Sequence, residues 1–115
     1  MNNDKVLSLM GLAKKAGKLK SGEYCVENEI KKGKAVLVIV ALDASENTKK
    51  KYSDMCAYRK VPICFWSEKE KIGNILGNGE RAAAVLSDEG FAKGIMSEIE
   101  RQNNQSNKPD SEVVE

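Results

Sequence analysis

Apolar residues along the chain follow two spacings: some are consecutive, and others recur every three or four residues. Unbroken apolar runs at residues 36–40 and 82–86 are typical of strands buried on both faces of a sheet. The run at 63–66 follows a proline, which is tolerated at a strand start, and residues 19–21 allow only a short strand. The apolar runs therefore predict a sheet of four strands.

Residues spaced like one face of a helix fill the segments around these runs. The predicted helices span about residues 4–16, 22–33, 46–59, 68–77 and 88–101. Ser21, Ser45 and Ser67 are the expected N-caps of the second, third and fourth helices, because a serine hydroxyl accepts a hydrogen bond from a first-turn amide. Alternating helices and strands predict an α/β fold, a three-layer α/β/α sandwich with a small four-stranded, mostly parallel or mixed sheet.

One domain is expected over residues 1–101, which carry all of these elements. Residues 102–115 are polar and acidic, and Val113-Val114 is their one apolar pair. Such a segment buries too little apolar surface to fold, so we expect a disordered tail that is dispensable for folding.

The net charge of +2 is distributed unevenly along the chain. Residues 1–34 carry eight lysines against four acidic residues, whereas residues 102–115 carry one lysine against three. A basic N-terminal third favours a polyanionic partner, although a surface kept in solution by lysines explains such counts equally well.

The residue types exclude several kinds of chemistry. Histidine is absent from the sequence, which rules out imidazole catalysis and histidine metal sites. The glycines of segment 73–79 lack the spacing of a phosphate-binding or dinucleotide loop. Cys25, Cys56 and Cys64 lack the paired spacing of a zinc or redox site, and reduced thiols are typical of a cytoplasmic protein. We therefore expect no cofactor, no metal and no enzymatic activity.

The predicted second helix divides its residues between two faces. Val26 and Ile30, four residues apart, face the core. Tyr24, Asn28 and Lys31 fall within an arc of roughly 60° on the opposite side. That side is free to contact a partner.

Lysines are expected at both ends of this helix. Near its N-terminus, where backbone amides attract phosphate, we expect Lys14, Lys15, Lys18 and Lys20. At its C-terminal end, around the stop at Gly33, lie Lys31, Lys32 and Lys34. The lysines of segment 49–51, on the third helix, are expected to project into water.

Several short segments have a characteristic order and spacing. They are Lys20-Ser21-Gly22, residues 31–35, Ala41-Leu42-Asp43-Ala44-Ser45, Asn47-Thr48-Lys49-Lys50, Val61-Pro62 and residues 77–84. Together they resemble the kink-turn-binding ribosomal-protein family typified by archaeal L-seven-Ae, over about residues 4–100, and above all its short bacterial members. The resemblance implies an α/β/α sandwich that binds structured RNA. The N-terminus of the second helix and the loop before the last strand would form the RNA-binding surface.

The family's RNA-reading motif begins at Gly22. In that motif the glycine is followed two and three residues later by Asn and Glu, with a Lys three residues after the Glu. Tyr24, Cys25 and Asn28 occupy those three positions here. The glycine that permits close backbone approach is kept, whereas the side chains that would read sheared G·A pairs are replaced.

The resemblance and the lysine pattern together give a set of candidate RNA-binding residues. Lysines would position the phosphate backbone, Tyr24 would stack on an unpaired base and Asn28 would hydrogen-bond a base edge. Arg81 would add a contact from the loop before the last strand. The full set is Lys20, Gly22, Glu23, Tyr24, Cys25, Asn28, Lys31, Lys32, Lys34, Gly79 and Arg81.

Two functions fit the sequence. The first is non-enzymatic binding of structured RNA, kink-turn-like or ribosomal, in a cytoplasmic protein that is associated with ribosomes or their assembly. The alternative is a protein-interaction adaptor on the same fold, because Tyr24 and Cys25 also suit a protein interface.

Overall fold

The computed structural model describes the backbone of residues 2–77 and 79–114 and the side chains of residues 5–77 and 79–102. Within these residues five helices alternate with four strands, as the sequence predicted. The bounds are α1 Asn2–Lys15, β1 Leu19–Ser21, α2 Glu23–Lys31, β2 Leu37–Val40, α3 Glu46–Arg59, β3 Ile63–Phe65, α4 Lys69–Ile75, β4 Ala83–Leu86 and α5 Glu89–Val114.

The four strands form one mixed sheet in the order β1-β4-β2-β3. β2 and β3 are parallel, with Ile39 opposite Cys64, whereas β4 is antiparallel to both of its neighbours. Every residue of β2 and β4 is buried, because these two strands occupy the centre. The predicted mixed sheet is confirmed, and its one reversed strand is β4.

The sheet separates two hydrophobic clusters. On one face, Leu37, Ile39 and Leu86 pack with apolar residues of α1, α4 and α5. On the other face, Val38 and Val85 pack with residues of α2 and α3. Alternate residues of one strand point to opposite faces, so the unbroken apolar runs supply both clusters. The three-layer sandwich is confirmed, and α2 lies in the layer with α3.

One of the three predicted serine caps forms. Ser45 is the N-cap of α3, and its hydroxyl accepts a hydrogen bond from the Thr48 amide at 3.1 Å. The Ser21 prediction is wrong by one residue, because Ser21 ends β1 and Gly22 is the N-cap of α2.

The cap predicted at Ser67 is also wrong. Glu68 is the N-cap of α4, and Ser67 adopts a left-handed backbone with φ of 65°. Asp43, in the turn after β2, takes over the capping role, because its carboxylate accepts a hydrogen bond from the Lys69 amide at 2.9 Å. The start of α4 is thereby tied to the end of β2.

The last helix continues beyond the end predicted near residue 101, to Val114. Segment 102–114 contains no glycine, so no left-handed stop ends the helix early. At the start of this segment, the Gln102 side chain accepts a hydrogen bond from the Trp66 indole at 3.4 Å. The prediction that the tail is dispensable for folding stays a prediction.

No helix in the described part of the chain is long and apolar enough to cross a membrane.

Candidate nucleic-acid interface

The candidate site begins where β1 passes into α2, at Gly22. This residue has φ of 94° and ψ of 147°, a conformation that side chains rarely tolerate. Its amide donates to Ala83 of β4 at 3.2 Å, and its carbonyl accepts the Val26 amide at 2.9 Å. No described side chain caps the helix. The amides of its first turn are therefore available to an anion.

Four chain segments meet in front of Gly22 and enclose a groove of about 320 Å³, here called the α2 groove. They are the β1–α2 junction, the start of α3, the start of α4 and the loop before β4. The lining residues are Gly22, Glu23, Ser45, Thr48, Lys69, Glu80, Arg81 and Ala82. The lining is mostly polar, as expected of a surface that contacts phosphates and base edges.

Arg81 spans the entrance to α2. Its Nε donates to the Ser21 hydroxyl at 3.2 Å and its Nη1 to the Glu80 carbonyl at 3.2 Å. A Cβ on Gly22 would lie 3.9 Å from the same Nε. These two bonds fix the guanidinium plane beside the uncapped amides, and the remaining donors are left for a ligand.

Two carboxylates in the α2 groove have cationic partners. Glu80 lies 3.9 Å from the Lys69 ammonium, and Glu23 lies 2.9 Å from the Lys51 ammonium. Among the described residues, Arg81 forms no ion pair. The lining holds two basic and two acidic side chains, so its formal charge is balanced. The positive charge without a carboxylate partner among the described residues lies at Arg81, beside the partial positive charge of the helix N-terminus.

Lys51 holds α3 against α2. Its ammonium donates to Glu27 at 2.7 Å and to Glu23 at 2.9 Å, and these hydrogen bonds to the two carboxylates raise the pKa of Lys51. The Tyr52 hydroxyl also donates to the Glu23 carbonyl, at 3.3 Å. The prediction that segment 49–51 projects into water is wrong for Lys51, because two acidic residues of α2 face it across the helix pair.

Lys20 is also engaged. Its ammonium lies 3.1 Å from Glu29, whose side chain is almost fully buried beneath it. Lys14 and Lys15 were expected nearby, but they lie at the end of α1. β1 separates them from Gly22 by about 10 Å, the length of three residues of strand. They line a different groove with Ile75.

The outer face of α2 carries the predicted side chains. Tyr24 is 80% exposed, whereas Val26 and Ile30 on the inner face are fully buried. Cys25 and Asn28 are half-buried, beside the tyrosine. The two predicted faces of this helix are confirmed.

The C-terminal lysines of α2 lie away from the groove. Lys31, Lys32 and Lys34 are exposed about 13 Å along the helix axis from Gly22, because α2 has nine residues. The Arg59 guanidinium donates to the Lys31 carbonyl at 3.1 Å and so ties this end to α3. These lysines and Arg81 thus mark opposite ends of one helix.

The loop before β4 packs closely against α4 because residue 73 of that helix is a glycine. A Cβ at Gly73 would overlap the carbonyl oxygen of Gly79 and lie 3.0 Å from Cα of Glu80. Only glycine lets the loop backbone pack on the helix at this point, and that contact carries Arg81 to the groove. Gly79 and Arg81 were among the predicted site residues, whereas Gly73 was not. A glycine inside a predicted helix was the signal that could have identified it.

Five further residues of the interface were missed by the sequence analysis. They are Ser45, Thr48, Lys51, Lys69 and Glu80. Each is separated from Gly22 by more than twenty residues, and no local pattern predicts such contacts. Ser45 and Thr48 lie in two of the segments that resemble the family, and this resemblance was the only indication that they belong to the interface.

Cys56 and Cys64 are poorly placed to act as nucleophiles. All three cysteines are free thiols, and burial raises the pKa of Cys56 to about 11 and that of Cys64 to about 12. The thiolate forms of Cys56 and Cys64 are therefore scarce at neutral pH. Among the described residues no cluster of acidic or cysteine side chains has the arrangement of a metal site.

The sequence and the fold correspond to a known family. Residues 4–96 match the family described as "Ribosomal protein L7Ae/L30e/S12e/Gadd45 family", and the chain belongs to it. Two relatives bear the name "RNA-binding protein YlxQ". The chain is 40% identical to the Bacillus subtilis (strain 168) protein over 89 residues, 77% of this chain and 89% of that one. It is 45% identical to the Enterococcus faecium protein over 101 residues, 86% of this chain and 95% of that one.

Solved structures agree with this assignment. A protein of unknown function from Bacillus halodurans is 34% identical, with a TM-score of 0.79 over 84% of this chain and 97% of that one. The Giardia lamblia 15.5kD RNA binding protein has a TM-score of 0.69 over 87% of this chain and 86% of that one. Its 19% identity supports a shared fold alone.

Proposed function

We propose that this chain binds structured RNA at the α2 groove and catalyses no reaction on it. The names of the two YlxQ relatives support RNA as the ligand. Structured ribosomal RNA is the proposed class, and a cytoplasmic location follows from that ligand. The lack of histidine and the raised pKa values of the Cys56 and Cys64 thiols are consistent with a role in binding alone.

One observation carries this proposal: the Arg81 guanidinium, without a carboxylate partner among the described residues, is fixed beside the uncapped N-terminus of α2. A guanidinium and a row of free amides attract the same ligand, a phosphate. The Gly22 backbone leaves the approach to these amides open. A phosphate at this position would place the adjoining nucleotide beside Tyr24.

The other side chains then have separate roles. Tyr24 is exposed enough to stack on an unpaired base, and Asn28 lies one turn further along the same face to bond a base edge. Lys20 is an outer phosphate contact. Lys31, Lys32 and Lys34 would meet the RNA backbone at the far end of α2, which fits a ligand long enough to follow the helix.

Recognition of kink-turns is the finer part of the proposal. The family's Asn, Glu and Lys are replaced by Tyr24, Cys25 and Asn28. The Asn and the Glu that would read base edges in the family are therefore absent from this chain. We expect shape and charge to carry most of the affinity. A kink-turn would then be preferred over a plain duplex by less than about a hundredfold, some 2.7 kcal/mol.

Replacing Arg81 tests the site. Arg81→Gln removes the charge and keeps much of the side-chain length, and its affinity for a fluorescent kink-turn RNA should fall by about 1–3 kcal/mol. Arg101→Gln is the matched control, because it removes the same charge from α5 across the sheet. Equal losses in the two variants would show that general surface charge, rather than the α2 groove, binds the RNA.

A protein-interaction adaptor is the second candidate. The 80% exposure of Tyr24 favours it, because an exposed tyrosine beside a half-buried cysteine also suits a protein interface. Nuclease treatment of a lysate before purification separates the two functions. An RNA binder loses its co-purifying material on this treatment, whereas an adaptor retains its partner.

A further inference from the structure

A second groove lies on the other side of the sheet from α2 and α3. It runs between α1 and the end of α4 and has a volume of about 630 Å³; we call it the α1–α4 groove. The lining residues are Ser8, Gly11, Leu12, Lys14, Lys15, Ile75, Leu76 and Gly77. None of these residues lines the α2 groove, although Gly77 lies in the loop before β4, which also carries Arg81.

The floor of the α1–α4 groove is apolar and open. Leu12 is 55% exposed and Ile75 is 41% exposed. Gly11, between them, presents no side chain, and a Cβ there would already touch Ile75 at 3.6 Å. Leu12 and Ile75 line the same groove, so together they give its floor an apolar character.

The rim of this groove is basic. Lys14 and Lys15 line it from α1, and Lys71 lies one turn before Ile75 on α4. Among the described residues no acidic side chain lines the groove, and none of these lysines forms an ion pair with a described side chain. An occupant therefore needs an apolar face and flanking negative charge.

We propose that the α1–α4 groove binds an acidic amphipathic helix of a partner protein. The lining follows α1 from Ser8 to Lys15, about two helical turns, which matches anchors spaced i, i+3 or i+4 and i+7 on a bound helix. Leucine-like anchors cover Leu12 and Ile75, and carboxylates beside them pair with Lys14 and Lys15. This binding is additional to the RNA function and independent of the α2 groove.

Two other occupants match the groove less well, one because of its charge and the other because it covers the apolar floor poorly. A second copy of this chain would bring the same lysines face to face around the symmetry axis, and like charges there repel. RNA would satisfy the lysines, but its phosphates would leave Leu12 and Ile75 uncovered. An occupant that has an apolar stripe for the floor and acidic residues for the basic rim matches both parts of the groove.

Peptide titration followed by amide NMR tests this proposal. The probe is a synthetic helical peptide with leucines at the i, i+3, i+4 and i+7 positions and glutamates at its flanks. A matched peptide carries lysines in place of the glutamates. The glutamate peptide should shift the amide signals of Leu12, Ile75 and Gly77, and the lysine peptide should bind at least about tenfold more weakly.

Variants of the rim and the floor make the test specific. Lys14→Glu with Lys15→Glu should reverse the preference between the peptides, whereas the same reversal at Lys49 and Lys50 on α3 should not. Leu12→Ser with Ile75→Ser should abolish binding of both peptides. Both positions are solvent-exposed, and the charge-reversal variant tests the proposal without altering the apolar floor.

Three results would overturn this inference. The first is the absence of signal shifts at millimolar peptide. The second is equal binding of the two peptides by the unaltered protein. The third is displacement of the glutamate peptide by single-stranded RNA. Arg81→Gln should leave peptide binding unchanged while it weakens RNA binding, so failure here is distinguishable from failure of the RNA proposal.

Discussion

At the start of α2, Gly22 meets two demands at once: a backbone conformation with φ of 94° and an open path to the helix amides. We predict that Gly22→Val lowers RNA affinity at every salt concentration with little change in salt dependence, because it blocks backbone approach and removes no charge. Gly17→Val is the control, since Gly17 also has positive φ, 76°, and lies away from the groove. If both variants retain folding by circular dichroism, equal RNA affinities would contradict the role given to Gly22.

Lys20 needs a more careful test because it covers Glu29. We predict that Lys20→Ala lowers the free energy of unfolding by about 1–3 kcal/mol, since a buried carboxylate loses its partner. Adding Glu29→Gln should recover most of that stability. If Lys20 also contacts phosphate, the double variant still binds RNA more weakly than Glu29→Gln alone. Chemical denaturation and RNA titration of the three variants separate the two effects, and full recovery of RNA affinity would exclude the phosphate contact.

The α2–α3 pair shows how one element positions another. Lys51 neutralises two carboxylates, Glu23 and Glu27, on the helix that faces the proposed ligand. We predict that Lys51→Met weakens RNA binding by about 1 kcal/mol, because the uncovered carboxylates repel phosphate. Lys50→Met, which removes the same charge one residue away, should have a smaller effect.

A rescue distinguishes repulsion from a loss of structure in that experiment. Glu23→Gln with Glu27→Gln removes the uncovered charges and should restore the RNA affinity of Lys51→Met to within about twofold of the unaltered protein. Loss of affinity that persists in the triple variant would mean that Lys51 contacts the RNA itself or that α2 has moved.

The end of α5 gives a prediction about stability. We expect truncation after Gln102 to leave the melting temperature nearly unchanged, because the removed residues are mostly polar. Truncation after Arg101 should cost about 1 kcal/mol more, since the buried Trp66 indole then loses its acceptor. Calorimetry of the two proteins checks this. A large loss on the first truncation would show that the segment packs on the domain.

Elements were predicted more successfully than the contacts between them. The strands at 37–40 and 83–86 follow from unbroken apolar runs, and Ser45 follows from its place before a polar helix. The Ser67 cap failed because Asp43, on a distant turn, supplies the acceptor for α4. Propensity describes a helix by itself, whereas this cap is decided by the neighbouring chain.

Over the whole molecule, the sequence specified the layers but not the order of strands. Alternating elements predicted helices on both faces, and the mixed sheet was among the predicted forms. The central position of β4 in the sheet could not be inferred from the sequence. Its alanine-rich run indicates that the strand is buried but does not indicate which strands pair with it. The site divides in the same way: the exposed face of α2 was predictable from its period, whereas the arrival of Arg81 depends on Gly73 packing against the loop.

The most direct test of the whole account is a titration of a kink-turn RNA and a plain duplex of equal length at several salt concentrations. If about three to five phosphates are neutralised, log affinity should fall with log salt at a slope of roughly −2 to −4, and Lys31→Ala should flatten it by up to about one unit. The kink-turn should be preferred by less than about a hundredfold. A much larger preference would contradict our interpretation of Tyr24, Cys25 and Asn28, and no binding to either RNA would contradict the proposed function.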